Sequence, residues 1–198
     1  YFDHIYCINL PGRTDKWEQC LVEFEKHKLT VERFSAINGN DLPKHEVLTP
    51  GELGCSMSHL AILKDISAKG YKRSLILEDD VEFIPNLNDY FAENVRFVPD
   101  DWMMLYFGGN HLNVPVPINK AISKISKTYT TSHYGITHSM ANAIYKRVET
   151  TNVQVDVLYT QFQPGSQSFV FSPAIAWQRP CISDIQGTWT DYTPHMKK

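Results

Sequence analysis

The chain has 198 residues, 42% of them apolar and 21% charged, with 22 acidic against 19 basic side chains and a formal net charge of −3. That length suits a single domain, residues 1–198, able to bury roughly 70% of its unfolded surface without staples, and it is equally compatible with one domain of a longer protein. The acidic balance argues against a nucleic-acid binder that works by neutralising phosphates, though it leaves room for a small basic pocket, and no apolar run reaches the roughly 18 residues of a membrane-spanning helix.

Residues 5–10 (IYCINL) are a short apolar run and predict a buried strand, broken by Pro11-Gly12-Arg13. Asp15 with Glu18 marks a helix start, and Trp17, Cys20, Leu21 and Phe24 continue at helical spacing. A second strand is predicted over 31–37 and stopped by Asn38-Gly39. Pro50-Gly51 opens the next helix. Its apolar stripe is Leu53, Met57, Leu60, Leu63 and Ile66, and Gly70 ends it. Residues 74–77 predict another buried strand, and 102–107 a further one closed by Gly108-Gly109. Residues 110–126 read as a long loop, 128–137 as one or two strands, 139–148 as a helix, and 168–171 and 173–177 as late strands. The tail from 187 has no periodicity. Strands alternating with helices predict an α/β fold with a mainly parallel central sheet covered on both faces. In such sheets ligands bind beyond the carboxyl ends of the strands. That directs attention to residues 9–13, 78–80 and 108–110.

The cysteines at 7, 20, 55 and 181 include no C-x-x-C pair, and no N-x-S/T sequon occurs. Together with an N-terminus that reads as strand rather than leader, this predicts a reducing, cytoplasmic setting, with a lumenal or virus-encoded context left open.

The strongest chemical pattern is Glu78-Asp79-Asp80 at the end of an apolar strand. Three adjacent carboxylates repel one another, and a hard cation such as Mn²⁺ or Mg²⁺ removes the repulsion. Strand alternation would put Glu78 and Asp80 on one side and Asp79 on the other, where it either helps or caps the following turn. A solvated turn is the plain alternative. A nucleoside triphosphatase would need a G-x-x-x-x-G-K-[ST] loop, which this sequence lacks.

Several segments taken in order resemble glycosyltransferase family 25, which includes lipopolysaccharide sugar transferases and collagen hydroxylysine galactosyltransferases. They are Ile8-Asn9-Leu10 with Arg13 and Lys16, Arg33-Phe34-Ser35-Ala36 with Gly39, Gly51-Glu52-Leu53-Gly54-Cys55 with Ser58-His59, and 75–80. Weaker echoes are 135–143, Val155-Asp156, and Gln178 with Ser183-Asp184-Ile185. The resemblance implies a GT-A-type, Rossmann-like nucleotide-sugar-binding domain. It also implies a UDP-galactose or UDP-glucose donor, and inversion at the anomeric carbon. Glu78-Asp79-Asp80 would be its D-x-D-like metal motif, with Asp80 the foremost ligand, Glu78 beside it and Gln178 offering a neutral oxygen where related enzymes place a histidine.

On this reading Asp156 is the catalytic base, with a helix cap as its plain alternative. Asn9, Arg13, Ser58, His59, Glu78, Asp79, Ser183 and Asp184 bind the donor. For Arg13 the alternative is an ion pair with Asp15, and for His59 a satisfied structural histidine. The expected partners are a nucleotide sugar and a glycan or protein acceptor, with no nucleic acid and no membrane span in this chain. Residues 110–126 are where acceptor choice is expected to reside. The rival functions are an inactive nucleotide-sugar or glycan binding module of the same fold, and a metal-dependent hydrolase or phosphatase.

Overall fold

A computed structural model describes residues 1–148 and 151–196. In chain order its elements are β1 (His4–Asn9), α1 (Thr14–Lys26), β2 (Glu32–Ser35), α2 (Pro50–Lys69), β3 (Arg73–Glu78), β4 (Val81–Phe83) and α3 (Leu87–Asn94). Then come β5 (Met104–Tyr106), β6 (Asn110–His111), β7 (Val116–Pro117), β8 (Ile122–Lys124), β9 (Thr128–Tyr129), β10 (His133–Thr137), α4 (His138–Arg147) and α5 (Val155–Thr160). The chain closes with β11 (Ser168–Phe171), β12 (Ala176–Gln178), β13 (Cys181–Ile182), β14 (Trp189–Thr190) and α6 (Thr193–Met196).

The main sheet has eight strands in the order β2-β1-β3-β10-β5-β11-β8-β7. β2, β1, β3, β5, β11 and β7 run one way, and β10 and β8 run against them. The expected α/β fold with a mostly parallel sheet is therefore present. From β1 the chain passes through α1 to β2 on one flank, then through α2 to β3 on the other. The point where the winding reverses lies between the carboxyl ends of β1 and β3, and such a reversal leaves a crevice open to a ligand.

Alternation along the strands splits the core into two layers. Tyr6, Ile8, Ile76, Met104, Tyr106, Tyr134 and Val170 pack with Leu60, Leu63 and Ile66 of α2 and with Met140 and Ile144 of α4. Cys7, Leu75, Leu77, Leu105, Phe107, Phe169 and Phe171 pack on the opposite side with Cys20 and Phe24 of α1. Because both faces are covered, the strands read as continuous apolar runs rather than as alternating ones. Ile76 is completely buried, and truncating it to Ala would cost about 3 kcal/mol.

α2 begins as the sequence predicts. The Thr49 side chain accepts from the Glu52 N–H at 3.3 Å, and Glu52 accepts from the Thr49 N–H at 2.8 Å, a reciprocal cap contributing about 1 kcal/mol. Gly54 lets this helix approach the chain after β2: a Cβ there would sit 2.5 Å from the Ile37 carbonyl oxygen.

The structure corrects three expectations. Residues 110–126 are not one loop but contain β6, β7 and β8, and β8 pairs antiparallel with β11 inside the main sheet. These strands are two or three residues long, too short to show a period. Residues 81–97, for which no element was predicted, hold β4 and α3. The tail after 187 forms β14 and α6.

Candidate functional site

The acidic segment lies at the reversal point. β3 ends at Glu78, and Asp79 and Asp80 form the turn into β4. Strand alternation therefore stops at Glu78, which corrects the expected pairing of Glu78 with Asp80 on one side. Each of the three carboxylates meets a different set of partners.

Glu78 turns towards α2. Its Oε1 accepts from His59 Nε2 at 3.1 Å and from the Thr131 hydroxyl at 3.1 Å. His59 Nδ1 lies 3.0 Å from the Tyr134 hydroxyl, which lies 3.0 Å from the Tyr159 hydroxyl. His59 thus joins Glu78 through Nε2 and the buried Tyr134–Tyr159 pair through Nδ1. Burial pushes the Glu78 carboxyl up, but His59, through its hydrogen bond and its electrostatic pull, together with the Thr131 hydroxyl, outweighs it and holds the group below its ordinary value.

Asp79 turns towards α1. Its Oδ2 accepts from Asn9 Nδ2 at 2.7 Å, and its Oδ1 lies 3.4 Å from Lys16 Nζ. Burial dominates and raises its carboxyl, with Lys16 and Asn9 opposing. Asn9, itself buried, also donates to the Arg13 carbonyl at 3.1 Å and accepts from Arg33 Nε at 2.9 Å. It thereby ties the ends of β1, β2 and β3 together. Arg13 is clamped on Asp15, at 2.9 and 2.8 Å, and also pairs with Asp184.

Asp80 has the poorest company. Burial, then the charges of Glu78 and Asp79, push its carboxyl up to about 7 against the pull of Lys16 and Gln178. Gln178 Nε2 donates to its Oδ2 at 3.2 Å, while its Oδ1 is buried with no hydrogen-bond partner among the described residues. A buried, unpaired carboxylate oxygen in an oxygen-rich turn fits a hard divalent cation. Gln178 faces Asp80, though through its amide nitrogen rather than its oxygen. Cys55, His59 and Glu78 bring three other ligand atoms within 4.8 Å of one another. That set is softer, and both imidazole nitrogens are already committed, so the hard-cation fit belongs to Asp80.

Two cavities adjoin here. The first, about 740 Å³, is bordered by Asn9, Arg13, Lys16, Ser58, all three acidic-turn residues, Gln178, Ser183 and Asp184. The second, about 620 Å³, is bordered by Asp156, Glu52, Asn110, Tyr129, Gln154 and Tyr192. Cys55, Glu78, Gln178, Ser183 and Ile185 belong to both. Asp156 sits in the first turn of α5, while the cap position is Gln154. Its Oδ1 accepts from the Val157 N–H at 2.7 Å, and burial raises its carboxyl above the ordinary value.

Not every predicted residue reaches a cavity with a free group. Ser58 donates to the Gly54 carbonyl at 2.7 Å and accepts from the Ile37 N–H at 2.8 Å, so its hydroxyl is spent on packing α2. His59 borders neither cavity and stands behind Glu78. Ser183 accepts from the N–H groups of Ile185 and Gln186, both at 3.2 Å, which fixes a turn. Sequence reasoning gave no role to Lys16, whose Nζ lies 2.7 Å from Asp184. Its i,i+3 spacing from Arg13 at a helix start was the available sign. It also missed Thr131 and Cys55, single residues whose place depends on distant strands.

An α/β sheet that opens at its reversal point onto a buried acidic turn between two cavities defines a ligand-binding enzyme scaffold. The family model for glycosyltransferase family 25 (LPS biosynthesis protein) matches residues 2–159, and the chain belongs to that family. A "Glycosyltransferase 25 family member" of Aedes aegypti is 33% identical over 134 residues, covering 55% of this chain and 21% of that protein. Procollagen galactosyltransferase 1 of Danio rerio is 28% identical over 150 residues, covering 63% and 24%. "Inactive glycosyltransferase 25 family member 3" of Homo sapiens is 28% identical over 134 residues, covering 57% and 22%. The chain thus spans under a quarter of the length of these relatives. Among solved structures, A197 from STIV superposes with a TM-score of 0.54 at 13% identity, covering 95% of this chain and 94% of that one, a likeness of fold alone.

Proposed function

We propose that this chain is a metal-dependent, inverting hexosyltransferase that moves galactose or glucose from a UDP-sugar to an acceptor hydroxyl. The observation that carries the reading is the pair of cavities meeting at Glu78, one holding cations and the acidic turn, the other holding Asp156.

The first cavity takes the donor, with Asn9 shaping the floor and Arg13 and the 183–184 segment at the rim. Asp80, with Asp79 and Gln178 around it, would hold a Mn²⁺ or Mg²⁺ ion, which neutralises the leaving diphosphate when bound. The acceptor enters the second cavity. Its hydroxyl oxygen attacks the anomeric carbon, its proton passes to an Asp156 oxygen, and the bond from that carbon to the diphosphate oxygen breaks with its electron pair leaving on UDP. A carboxylate made more basic by burial suits that proton transfer. Glu78, held ionised and oriented by His59, stands where the two substrates meet.

The second cavity also favours one acceptor. Glu52, Glu78 and Asp156 border it, and no Lys, Arg or His does so among the described residues. Carboxylates without counter-charges suit a hydroxyl near a cation, such as hydroxylysine in a collagen-like chain, over an anionic polysaccharide. Four free thiols are consistent with action in a reducing compartment.

The test is UDP release from a panel of UDP-sugars with and without Mn²⁺, using native protein and Asp80→Ala. Release that prefers one sugar, needs metal and vanishes in the variant supports the transferase. Tight UDP binding with no turnover on any acceptor would instead support the inactive binding module, a reading favoured by the relative named inactive. Free sugar and phosphate would support a hydrolase.

A further inference from the structure

Lys16 is the buried cation of the first cavity, and nothing in the reaction as described uses it. Its side chain is only 6% exposed, with Nζ 2.7 Å from Asp184 and 3.4 Å from Asp79. Burying an ammonium is costly unless charge surrounds it. Here burial works to strip the proton from Lys16, but the carboxylates of Asp79, Asp184 and Asp80 outweigh it and hold the side chain charged. Arg13 meets the same Asp184 carboxylate from the other side. Asp184 therefore bridges the two bases that border this cavity.

Asp184 comes from a slight element. Cys181 pairs with Thr190 and Ile182 with Trp189, and this two-stranded hairpin joins no other strand. Its tip is closed by Ser183 N–H to the Thr188 carbonyl at 2.9 Å and Gly187 N–H to the Ser183 carbonyl at 2.8 Å. An isolated hairpin of this size has little stability of its own. Ile182, Ile185 and Trp189 are all exposed. The tip reaches the body through the Asp184 bridge and against the backbone of Gly51 at the start of α2, where a Cβ would stand 2.8 Å from Ile185 Cα.

We propose that Lys16, with Arg13, binds the diphosphate of the donor, and that Asp184 is its stand-in, occupying both cations while the cavity is empty and releasing them as the donor enters. This rests on reading the first cavity as the donor site. The charge balance supports it. Against Arg13 and Lys16 the cavity sets Asp41, Glu78, Asp79, Asp80 and Asp184. A diphosphate added on top of Asp184 would find both bases already paired, with only the metal ion proposed at Asp80 to meet its charge. An exchange leaves neither cation unpaired before or after binding. It also explains why, of the two carboxylates around the buried lysine, the nearer comes from a slight hairpin tip and the other from the turn that follows β3.

The proposal fixes a sign. If Asp184 competes with the diphosphate, removing its charge must tighten donor binding. Titration of UDP with Mn²⁺ should give Asp184→Asn a dissociation constant roughly tenfold lower than native. Lys16→Met should bind at least tenfold more weakly, and the gain from Asp184→Asn should largely disappear in the Lys16→Met background. Asp184 is on the surface hairpin, so its variant tests the idea even if Lys16→Met does not fold. Unchanged or weaker binding by Asp184→Asn, with native protein still binding UDP, overturns the exchange while leaving the donor site intact. Native protein that binds no UDP overturns both the donor site and the exchange.

Discussion

The first cavity is walled by charge of both signs: two bases, the acidic turn and a carboxylate lent by a hairpin tip. The second is walled by amides, phenols and hydroxyls, with carboxylates and no base among the described residues. A cavity with compensated charge can hold a ligand that brings its own charge and countercharge, such as a nucleotide diphosphate with a metal. A cavity with uncompensated carboxylates favours a neutral or cationic ligand, and leaves one carboxylate free to take a proton. On the proposed reading the difference gives chemically similar side chains opposite tasks, and each task can be broken separately.

The largest effect is expected at Asp156. Asp156→Asn should lower transfer by about 10²-fold or more, with UDP affinity within twofold of native. Steady-state rates and a UDP titration check this together, and surviving transfer would move the base elsewhere. The native rate should also rise with pH through an apparent ionisation above the ordinary aspartate range, since a base at Asp156, as proposed, acts ionised and burial raises its carboxyl.

Next comes Asp80, where function and stability oppose each other. Its carboxyl is raised from 3.8 to about 7, so the folded chain holds this proton more tightly than the unfolded chain does. That contribution is complete below 3.8 and is lost as pH climbs to about 7. Asp80→Asn should lose metal-dependent UDP release yet melt higher than the metal-free native chain, by roughly 4 °C at neutral pH. The gap should shrink towards pH 4. Thermal melts at a series of pH values decide it, and a variant that melts lower at pH 8 would refute strain in the acidic turn.

His59 sharpens the contrast from behind the shared wall. His59→Ala leaves Glu78 and Tyr134 without their common partner and should cost about 3 kcal/mol of stability. It should lower kcat and leave the UDP dissociation constant near native, because His59 touches neither cavity. His59→Gln can donate to Glu78 and should restore part of kcat, which a purely structural role would not require. The smallest effect is expected at Ser58. Ser58→Ala removes one donor and one acceptor contact and should cost about 1 kcal/mol, read by denaturant unfolding, with donor affinity unmoved.

Much of the first cavity was legible in the sequence because its parts are local. An apolar strand that ends in Glu78-Asp79-Asp80 announces itself, as does Asn9-x-x-x-Arg13 at the end of another, and the crevice rule brings the two together. Asp156 was singled out through the family resemblance, and the structure places it in the first turn of α5, beside the second cavity. The second cavity was legible only in part. Tyr129, Thr131 and Asn110 come from strands of two residues or from the links between them, where no period can develop. The roles of His59 and Ser58 were hidden for another reason. The sequence shows that a polar side chain lies on a buried helix, but not whether its hydrogen bonds turn towards the ligand or towards the protein. In both cases they turned inwards.

The hairpin tip borders both chambers through Ser183 and Ile185. If the tip moves as proposed, two ligands that touch it cannot bind independently. Whatever factor UDP imposes on acceptor affinity, the acceptor must impose on UDP, because the cycle of four states has to close. If the tip shifts when UDP arrives, the acceptor chamber changes its outline in the same event. The two substrates would then raise or lower one another's affinity by a common factor, in whichever order they load.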